Sequence, residues 1–206
     1  FLDEVPEFPR STLELLRGPL EEREVVLSRA SGHVRFPASS MLVATANPCP
    51  CGFFGHPIRP CVCTDAQRQR YKSRLSGPFL DRMDLWVAIA SPEEGCLGAG
   101  DREERSSEIR TRVNKARAAQ SQRFECTPFR TNAEVRGVPL NECIRLEKSA
   151  HRIIEHANTR FSLTGRGRDR ILRVARTIAD LKGASVVCRS DLAEALSFRT
   201  AMRGWA

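Results

Sequence analysis

The stretch Met-Leu-Val-Ala-Thr-Ala-Asn-Pro-Cys-Pro-Cys-Gly, residues 41–52, decides the fold class. Its first six residues are almost entirely apolar, which is typical of a strand buried in a sheet. The polar residue Asn47 follows this run directly. A second strand end, Phe1-Leu2-Asp3-Glu4, finishes on two acidic residues. We expect the two strand ends to lie side by side, with their polar side chains at one edge of an α/β sheet.

Such an edge is suited to the hydrolysis of a nucleoside triphosphate. An Asp there can hold the Mg²⁺ that bridges the phosphates, and a following Glu can polarise the attacking water, the pattern called Walker B. By itself the pair Asp3-Glu4 is a weak signal, because acidic residues end many strands. Asn47 strengthens it, since an amide beside the pair can orient the same water as a sensor 1 residue. Residues 77–84 precede another predicted strand, and Arg82 there could reach a neighbouring subunit's γ-phosphate as an arginine finger.

Hydrophobic periodicity and turn residues predict an α/β front, a linker and a helical end. The front contains a helix over 11–20 that Ser11 caps, a hairpin of strands 24–28 and 33–36, a buried strand over 41–46, a helix over 65–76 and a strand over 85–90. Residues 91–104 are predicted to be a linker, 106–123 a charged helix and 125–140 irregular. The end contains helices over roughly 141–159, 166–181 and 190–203, the last capped by Ser190. The corresponding domains are 1–91, 92–140 and 141–206.

Charge and composition limit the function classes. The 206 residues carry a net charge of +8, with 41% hydrophobic and 28% charged residues. This composition excludes a disordered chain, and no apolar run approaches the length of about 20 residues that spans a bilayer. Residues 141–206 hold 13 basic against 7 acidic side chains. The excess indicates either a polyanionic partner such as nucleic acid or a solvated basic face.

Four of the eight cysteines lie within fifteen residues, in a loop over 48–64 that is rich in Gly and Pro: Cys49, Cys51, Cys61 and Cys63. Four thiolates can complete a closed tetrahedral Zn²⁺ site, which is structural because it leaves no open coordination position. The alternatives are reduced thiols or two disulfides. We favour zinc, because the sequence has no export signal and a reducing cytoplasm opposes disulfides.

Several blocks together resemble the magnesium-chelatase-like AAA+ ATPases of the YifB/ComM type. They are Phe1-Leu2-Asp3-Glu4, Leu16-Arg17-Gly18-Pro19-Leu20-Glu21, Asn47-Pro48-Cys49-Pro50-Cys51-Gly52, residues 75–84, and residues 173–181 (Arg-Val-Ala-Arg-Thr-Ile-Ala-Asp-Leu). The resemblance covers nearly the whole chain. It implies an α/β subdomain with a zinc-loop insertion, followed by an all-α lid.

The resemblance also implies roles for individual residues. Asp3 and Glu4 match Walker B, Asn47 matches sensor 1 and Arg82 matches the arginine finger. Arg170 is the best match to the lid's sensor 2 arginine, with Arg168 a close rival. The implied ligands are ATP, Mg²⁺ and structural Zn²⁺. The implied protein is a cytoplasmic homo-oligomeric ring, a hexamer, which acts on DNA as a helicase or branch-migration motor in natural transformation and recombination.

The chain departs from the family pattern in lacking Gly-x-x-x-x-Gly-Lys-[Ser/Thr]. We expect that phosphate-binding loop, together with a Lon-protease-like domain, upstream of Phe1, so that this fragment alone is inactive. Two rival functions remain open at this point. One is a magnesium chelatase ATPase subunit in porphyrin metallation, which the cysteine loop argues against. The other is a non-hydrolysing, zinc-dependent DNA-binding module, in which the acidic pair, Asn47 and Arg82 would have little purpose.

Overall fold

The computed structural model describes residues 1–29, 32–89, 104–161 and 163–205. Its chain forms two compact units. The first contains Phe1–Met83 together with Met202–Ala206, and the second contains Asp84–Ala201.

The first unit is a set of short helices around one hairpin. Its elements are a 3-10 turn Val5–Glu7, α1 (Arg10–Leu15), α2 (Arg17–Glu22), β1 (Glu24–Arg29), β2 (Gly32–Pro37), α3 (Asp65–Lys72) and α4 (Gly77–Leu80). The strands pair antiparallel, with Val26 opposite Arg35. This confirms the predicted hairpin, although Ala30 and Ser31 of its predicted turn lie outside the described residues.

The predicted helix over 11–20 is two helices instead of one. Pro19 explains the break, because its ring nitrogen cannot donate to the carbonyl four residues earlier and its ring crowds that carbonyl. The chain turns at Leu16, and α2 ends at Glu22, followed by Arg23 in a left-handed conformation. Ser11 lies inside α1 and does not cap it, since the capping position belongs to Pro9. The predicted helix over 65–76 ends at Lys72, and its first residues are held by a reciprocal cap between Thr64 and Gln67.

The predicted strand over 41–46 pairs with the first residues of the chain, but only through a single parallel bridge between Leu2 and Ala44. The Leu2 amide donates to the Val43 carbonyl at 2.9 Å, and the Thr45 amide donates to the Leu2 carbonyl at 2.9 Å. Residues 85–89 form no strand, and residue 90 lies outside the described part. A β-strand requires a ladder of backbone hydrogen bonds with a neighbouring strand. Among the described residues, the segments 41–46 and 85–89 have too few backbone partners to form such a ladder. The side chains of Met41 and Ile89 are accordingly 86% and 92% exposed.

The second unit is helical. Its elements are α5 (Ser106–Arg123), a 3-10 turn Asn132–Glu134, α6 (Val138–Cys143), α7 (Lys148–Phe161), α8 (Gly165–Leu181) and the part of α9 (Arg189–Trp205) that precedes Met202. The predicted charged helix and the last two predicted helices are confirmed. Most of the predicted linker over 91–104 lies outside the described residues.

The predicted helix over 141–159 is divided between α6 and α7. Residues between the two helices are extended, because Leu146 forms a parallel bridge with Val187 and the Val187 amide donates to the Arg145 carbonyl at 2.9 Å. The predicted Ser190 cap is also wrong. Ser190 lies inside α9, and the Asp191 carboxylate accepts from the Cys188 amide at 3.0 Å instead.

The core of the second unit is built around one face of α8. The residues that α8 contributes are spaced three and four apart, which places them on one side of the helix. Residues from α6, α7 and α9 complete the cluster; its members include Leu140, Ile154, Ile171, Leu172, Ala175, Ile178, Ala179, Val187 and Leu192.

A buried polar cluster joins α5 to α8. Both guanidinium nitrogens of Arg123 donate to the Asp180 carboxylate, Asn132 donates to it at 2.8 Å, and Arg176 donates to it at 3.1 Å. Burial opposes ionisation of Asp180, but the hydrogen bonds from Arg123 and Asn132 outweigh it and hold the pKa of this carboxyl below its usual value. The cluster therefore stabilises the fold at neutral pH. That contribution is lost as the pH falls below about 4, through the lower folded-state pKa.

Replacing Arg123 with Ala is expected to lower the free energy of unfolding by about 3 kcal/mol, because it removes the charged partner of a carboxylate that is almost fully buried. Arg117 is an exposed arginine on the same helix. Arg117→Ala should change the free energy of unfolding by no more than about 0.5 kcal/mol. Urea denaturation followed by far-ultraviolet circular dichroism measures both. Equal effects from the two variants would show that the cluster does not hold α5.

Candidate functional site

The polar edge predicted from the two strand ends is present in the first unit. The parallel bridge at Leu2 places Asp3 and Glu4 beside residues 45–47. The Thr45 hydroxyl donates to the Asp3 carboxylate and accepts from the Glu4 amide at 2.9 Å. Asn47 donates from Nδ2 to Glu4 Oε1 at 2.9 Å. The acidic pair and the amide that were singled out in the sequence therefore form one hydrogen-bonded group.

The backbone at Glu4 is unusual. Its φ and ψ are 49° and 51°, a left-handed conformation that non-glycine residues adopt rarely and at a cost of about 1–3 kcal/mol. The Glu4 amide, bonded to Thr45, and the Val5 amide, which donates to the Thr45 carbonyl at 2.8 Å, hold this turn in place. The turn fixes the direction of the Glu4 side chain toward Asn47.

Thr45 was missed in the sequence, although it contacts both acidic residues. The signal for it was present, because Thr45 is the one polar residue within 41–46. With both carboxylates exposed and oriented, this edge offers the hard oxygen ligands that Mg²⁺ prefers. The amide of Asn47 and the carboxylate of Glu4 can share one water molecule as donor and acceptor.

Arg82 follows α4, and its side chain is bonded to two residues of the first unit. It donates to the Pro78 carbonyl at 2.6 Å and forms an ion pair with Glu21 of α2. Its side chain is 14% exposed. In the described part of the chain its hydrogen-bond partners belong to α2 and α4 and do not include the acidic edge.

Arg168 and Arg170 lie near the start of α8, in the second unit. Arg168 donates to Asn141 Oδ1 at 3.2 Å. Arg170 lies 3.4 Å from the Asp84 carboxylate, which Arg173 also approaches at 3.6 Å. Both candidates for the sensor 2 position thus have polar partners on neighbouring segments.

The four clustered cysteines converge as the spacing predicted. Their sulfur atoms all lie within 4.8 Å of one another, and Cys49 lies 3.4 Å from Cys51 and 3.6 Å from Cys61. A disulfide would require about 2.05 Å, and all four thiols are free. Four sulfurs about 2.3 Å from one zinc ion are separated by about 3.8 Å at the edges of a tetrahedron, close to the distances here. The donor set therefore fits a zinc ion.

The thiols differ in acidity. Hydrogen bonding from the Phe53 amide lowers the pKa of Cys51 to about 6, whereas burial raises the pKa of Cys63 to about 12. Four thiolates can share so small a volume only when a cation compensates their charge.

Arg68 of α3 ties the cysteine loop to the helix that follows it. It donates to the Cys63 carbonyl at 2.6 Å, lies 3.9 Å from the Cys61 sulfur and stacks over the Phe54 ring at 4.6 Å. A guanidinium here offsets part of the negative charge of a tetrathiolate site. Arg68 was also missed in the sequence, where it reads as an ordinary charge on a polar helix.

The hairpin of β1 and β2 carries two exposed arginines and an exposed histidine. Arg29, His33 and Arg35 are all exposed, and Arg35 pairs with Glu24 at 2.8 Å. Its apolar residues are exposed as well, with Val26 and Val34 at 47% and 54%. A hairpin that buries so little of its own surface is suited to contact something else.

Comparison with known proteins adds the family. Residues 1–96 match the family model described as magnesium chelatase, subunit ChlI, and residues 103–199 match the model of the ChlI C-terminal region. The chain belongs to the magnesium-chelatase-like family of ComM and YifB. It is 40% identical over 205 residues to the competence protein ComM of Haemophilus influenzae, a match that covers 98% of this chain and 39% of ComM.

Two other relatives match the chain over a similar length. An uncharacterised protein of Mycobacterium tuberculosis is 44% identical over 201 residues, covering 97% of this chain and 39% of that protein. The uncharacterised YifB of Escherichia coli is 39% identical over 204 residues, covering 97% of this chain and 38% of YifB. The chain thus spans about two fifths of the length of the curated relatives that it matches. None of the helices in the described part combines the length and the apolar character that crossing a membrane requires.

Proposed function

We propose that this chain supplies the Walker B, sensor 1, arginine-finger and lid portions of an AAA+ ATPase, and that the complete protein is a ring-shaped motor that works on DNA in the cytoplasm. By the complete protein we mean the product of the whole reading frame that encodes this chain. The observation that carries the proposal is the hydrogen-bonded group of Asp3, Glu4, Thr45 and Asn47. Membership of the ComM/YifB family supports it.

Each residue of the group has a task that its chemistry allows. Asp3 would hold Mg²⁺, which when bound neutralises charge on the β- and γ-phosphates. Glu4 would accept a proton from the attacking water, and Asn47, which already donates to Glu4, would keep that carboxylate and the water aligned. Arg82 would stabilise the γ-phosphoryl charge of the nucleotide bound to the neighbouring chain of a hexamer. We propose that Arg170, near the start of α8, would contact the γ-phosphate. The lid would then respond when this phosphate is lost on hydrolysis.

The proposed organisation follows the residues already described. Residues 1–91 would form the second half of the α/β subdomain, residues 92–140 a connection with one charged helix, and residues 141–206 the lid. The phosphate-binding loop, whose motif is absent from these 206 residues, would come from another part of the complete protein.

We also propose that the four-cysteine loop binds one structural Zn²⁺ through Cys49, Cys51, Cys61 and Cys63. The converging free thiols support this, as does the positively charged guanidinium of Arg68, which lies beside them. With four protein ligands the ion would have no open position for catalysis, so its contribution would be to hold the loop next to Asn47.

DNA is the proposed substrate of the motor. The basic excess of residues 141–206 and the exposed cations of the hairpin support this, and the name of the relative ComM refers to competence. Phosphate contacts made by Arg and Lys release counterions, so binding should weaken steeply as salt is added.

The test measures DNA binding and DNA-stimulated ATP hydrolysis by the complete protein over a series of salt concentrations. We expect the logarithm of the binding constant to fall linearly with the logarithm of salt concentration. Arg29→Ala on the hairpin should reduce the slope by about 1, the value for one lost phosphate contact. Arg10→Ala, at an exposed arginine of the same unit, is the matched control and should leave the slope unchanged. No DNA binding at low salt, with ATP hydrolysis intact, would favour a chelatase-type motor instead.

A further inference from the structure

The ion pair between Arg82 and Glu21 is not explained by the roles assigned so far. We propose that Glu21 is the positioning residue of Arg82, holding the guanidinium in the orientation in which it meets a neighbouring chain's nucleotide. This inference depends on the proposed function, in which Arg82 is the arginine finger. Glu21 itself touches no nucleotide in this proposal and acts only through Arg82.

The pair is protected from solvent on both sides. The exposed fractions of the Arg82 and Glu21 side chains are 14% and 18%. The other surface ion pairs of the first unit are more open, such as Arg74 with Glu7 at 46% and 52%. Partial burial strengthens the attraction between Arg82 and Glu21 and restricts the rotamers of a long side chain.

Each terminal nitrogen of the Arg82 guanidinium has one partner within the first unit. One terminal nitrogen donates to the Pro78 carbonyl and the other donates to Glu21. The Nε atom is buried and has no partner within the described residues. Because Nε is buried, the N–H groups that remain for an anion such as a phosphate are the second N–H of each terminal nitrogen.

Glu21 can orient the Arg82 guanidinium because side chains of α1 and α2 bind the two ends of α4. At the start of α4, Ser76 caps the helix by accepting from the Phe79 amide at 3.2 Å, and the Ser76 hydroxyl donates to Glu14 at 2.6 Å. At the end of α4, Arg82 is held by Glu21. Two carboxylates from adjacent short helices thus fix a four-residue helix that would be unstable on its own.

Fixing the guanidinium matters because an arginine finger acts in the transition state. A side chain that is already oriented loses less conformational freedom when the γ-phosphoryl charge develops. Loss of Glu21 should therefore lower kcat and leave KM and ATP affinity nearly unchanged, since the ground-state nucleotide is bound by other groups. The opposite idea, that Glu21 sequesters Arg82 until ATP arrives, predicts a faster enzyme when Glu21 is removed.

The experiment is a double-mutant cycle on ATP hydrolysis by the complete protein. Glu21→Ala is expected to lower kcat about 10- to 100-fold, in the range of a misplaced catalytic group. Glu21→Gln keeps the size of the side chain and tests charge separately; it should lower kcat by a smaller factor. Glu22→Ala, at the exposed neighbour on the same helix, is the matched control and should behave as wild type.

The decisive comparison is made in the Arg82→Ala background. If Glu21 acts only through Arg82, adding Glu21→Ala to Arg82→Ala causes no further loss of kcat. A further loss of tenfold or more in the double variant would mean that Glu21 supports the fold in general and would overturn the inference. Wild-type or higher activity of Glu21→Ala would overturn it as well. Wild-type activity of Arg82→Ala would instead refute the proposed finger, so the two failures are distinguishable.

Discussion

Replacing Glu4 with Gln in the complete protein is expected to lower kcat for ATP hydrolysis by about 10³-fold, with ATP affinity largely unchanged. The substitution keeps the shape of the side chain and the contact with Asn47, but it removes the group that accepts the proton of the attacking water. Loss of a positioned general base typically costs 10²- to 10⁴-fold in rate. The measurement is steady-state ATP hydrolysis together with nucleotide binding at equilibrium.

Glu7→Gln is the matched control for this variant. Glu7 lies three residues further along the chain, in an exposed pair with Arg74. It should retain wild-type turnover. If Glu4→Gln hydrolyses ATP as fast as the control, the polar edge at Asp3 and Glu4 is not the catalytic site.

The Cys61→Ser/Cys63→Ser double variant is expected to lose bound zinc completely. Wild-type protein purified without added metal should contain about one zinc ion per chain. A structural zinc site contributes roughly 10–16 kcal/mol of apparent binding free energy, so its loss should unfold the loop over 48–64 and lower the melting temperature. Because only thiolates bind the metal, acidification should release zinc from the wild-type protein as protons displace it.

Elemental analysis and thermal melting test this prediction. Cys126→Ser is the matched control, because Cys126 is an exposed thiol outside the cluster. It should keep the full metal content. Zinc content well below one per chain in wild type, or equal content in the double variant, would contradict the proposed site.

Local patterns predicted the hairpin and the helices α5, α8 and α9, but not the division of two other predicted helices. The face of α8 could be identified from apolar spacing, since side chains three and four residues apart meet on one side of any helix. The hairpin strands could be identified from two short runs of suitable residues around a Gly-containing turn. The division of residues 11–20 at Pro19 could also have been anticipated from the chemistry of proline.

Other features depend on contacts that no local pattern encodes. The separation of α6 from α7 comes from pairing of Leu146 with Val187, more than forty residues away. The strand over 41–46 could be predicted to lie beside Leu2, but its exposed apolar side chains depend on which other segments are present to cover them. At the start of α9, Ser190 and Asp191 are both suitable capping residues, and the sequence does not show which of them is used. In the structure, Asp191 accepts the hydrogen bond from the Cys188 amide.

The candidate site was more predictable than the fold around it. Asp3, Glu4 and Asn47 were selected because polar residues at strand ends share an edge, and the hydrogen bond from Asn47 to Glu4 agrees with that reasoning. The convergence of the four cysteines followed from their spacing in a short loop. Thr45, Arg68 and Glu21 were not predicted, because their roles depend on contacts that the fold creates. Thr45 contacts the acidic pair, Arg68 contacts the cysteine loop and Glu21 pairs with Arg82.

The claim that the active site is shared between chains is tested most directly by mixing two inactive variants of the complete protein. Glu4→Gln chains keep Arg82, and Arg82→Ala chains keep Glu4, so neither forms a complete site alone. In rings mixed at random in equal amounts, about a quarter of the interfaces pair an intact Glu4 with an intact Arg82 of the next chain. We predict that ATP hydrolysis returns to a substantial fraction of the wild-type rate. If mixed rings form and hydrolysis stays as low as in either variant alone, Arg82 does not act on the neighbouring chain's nucleotide.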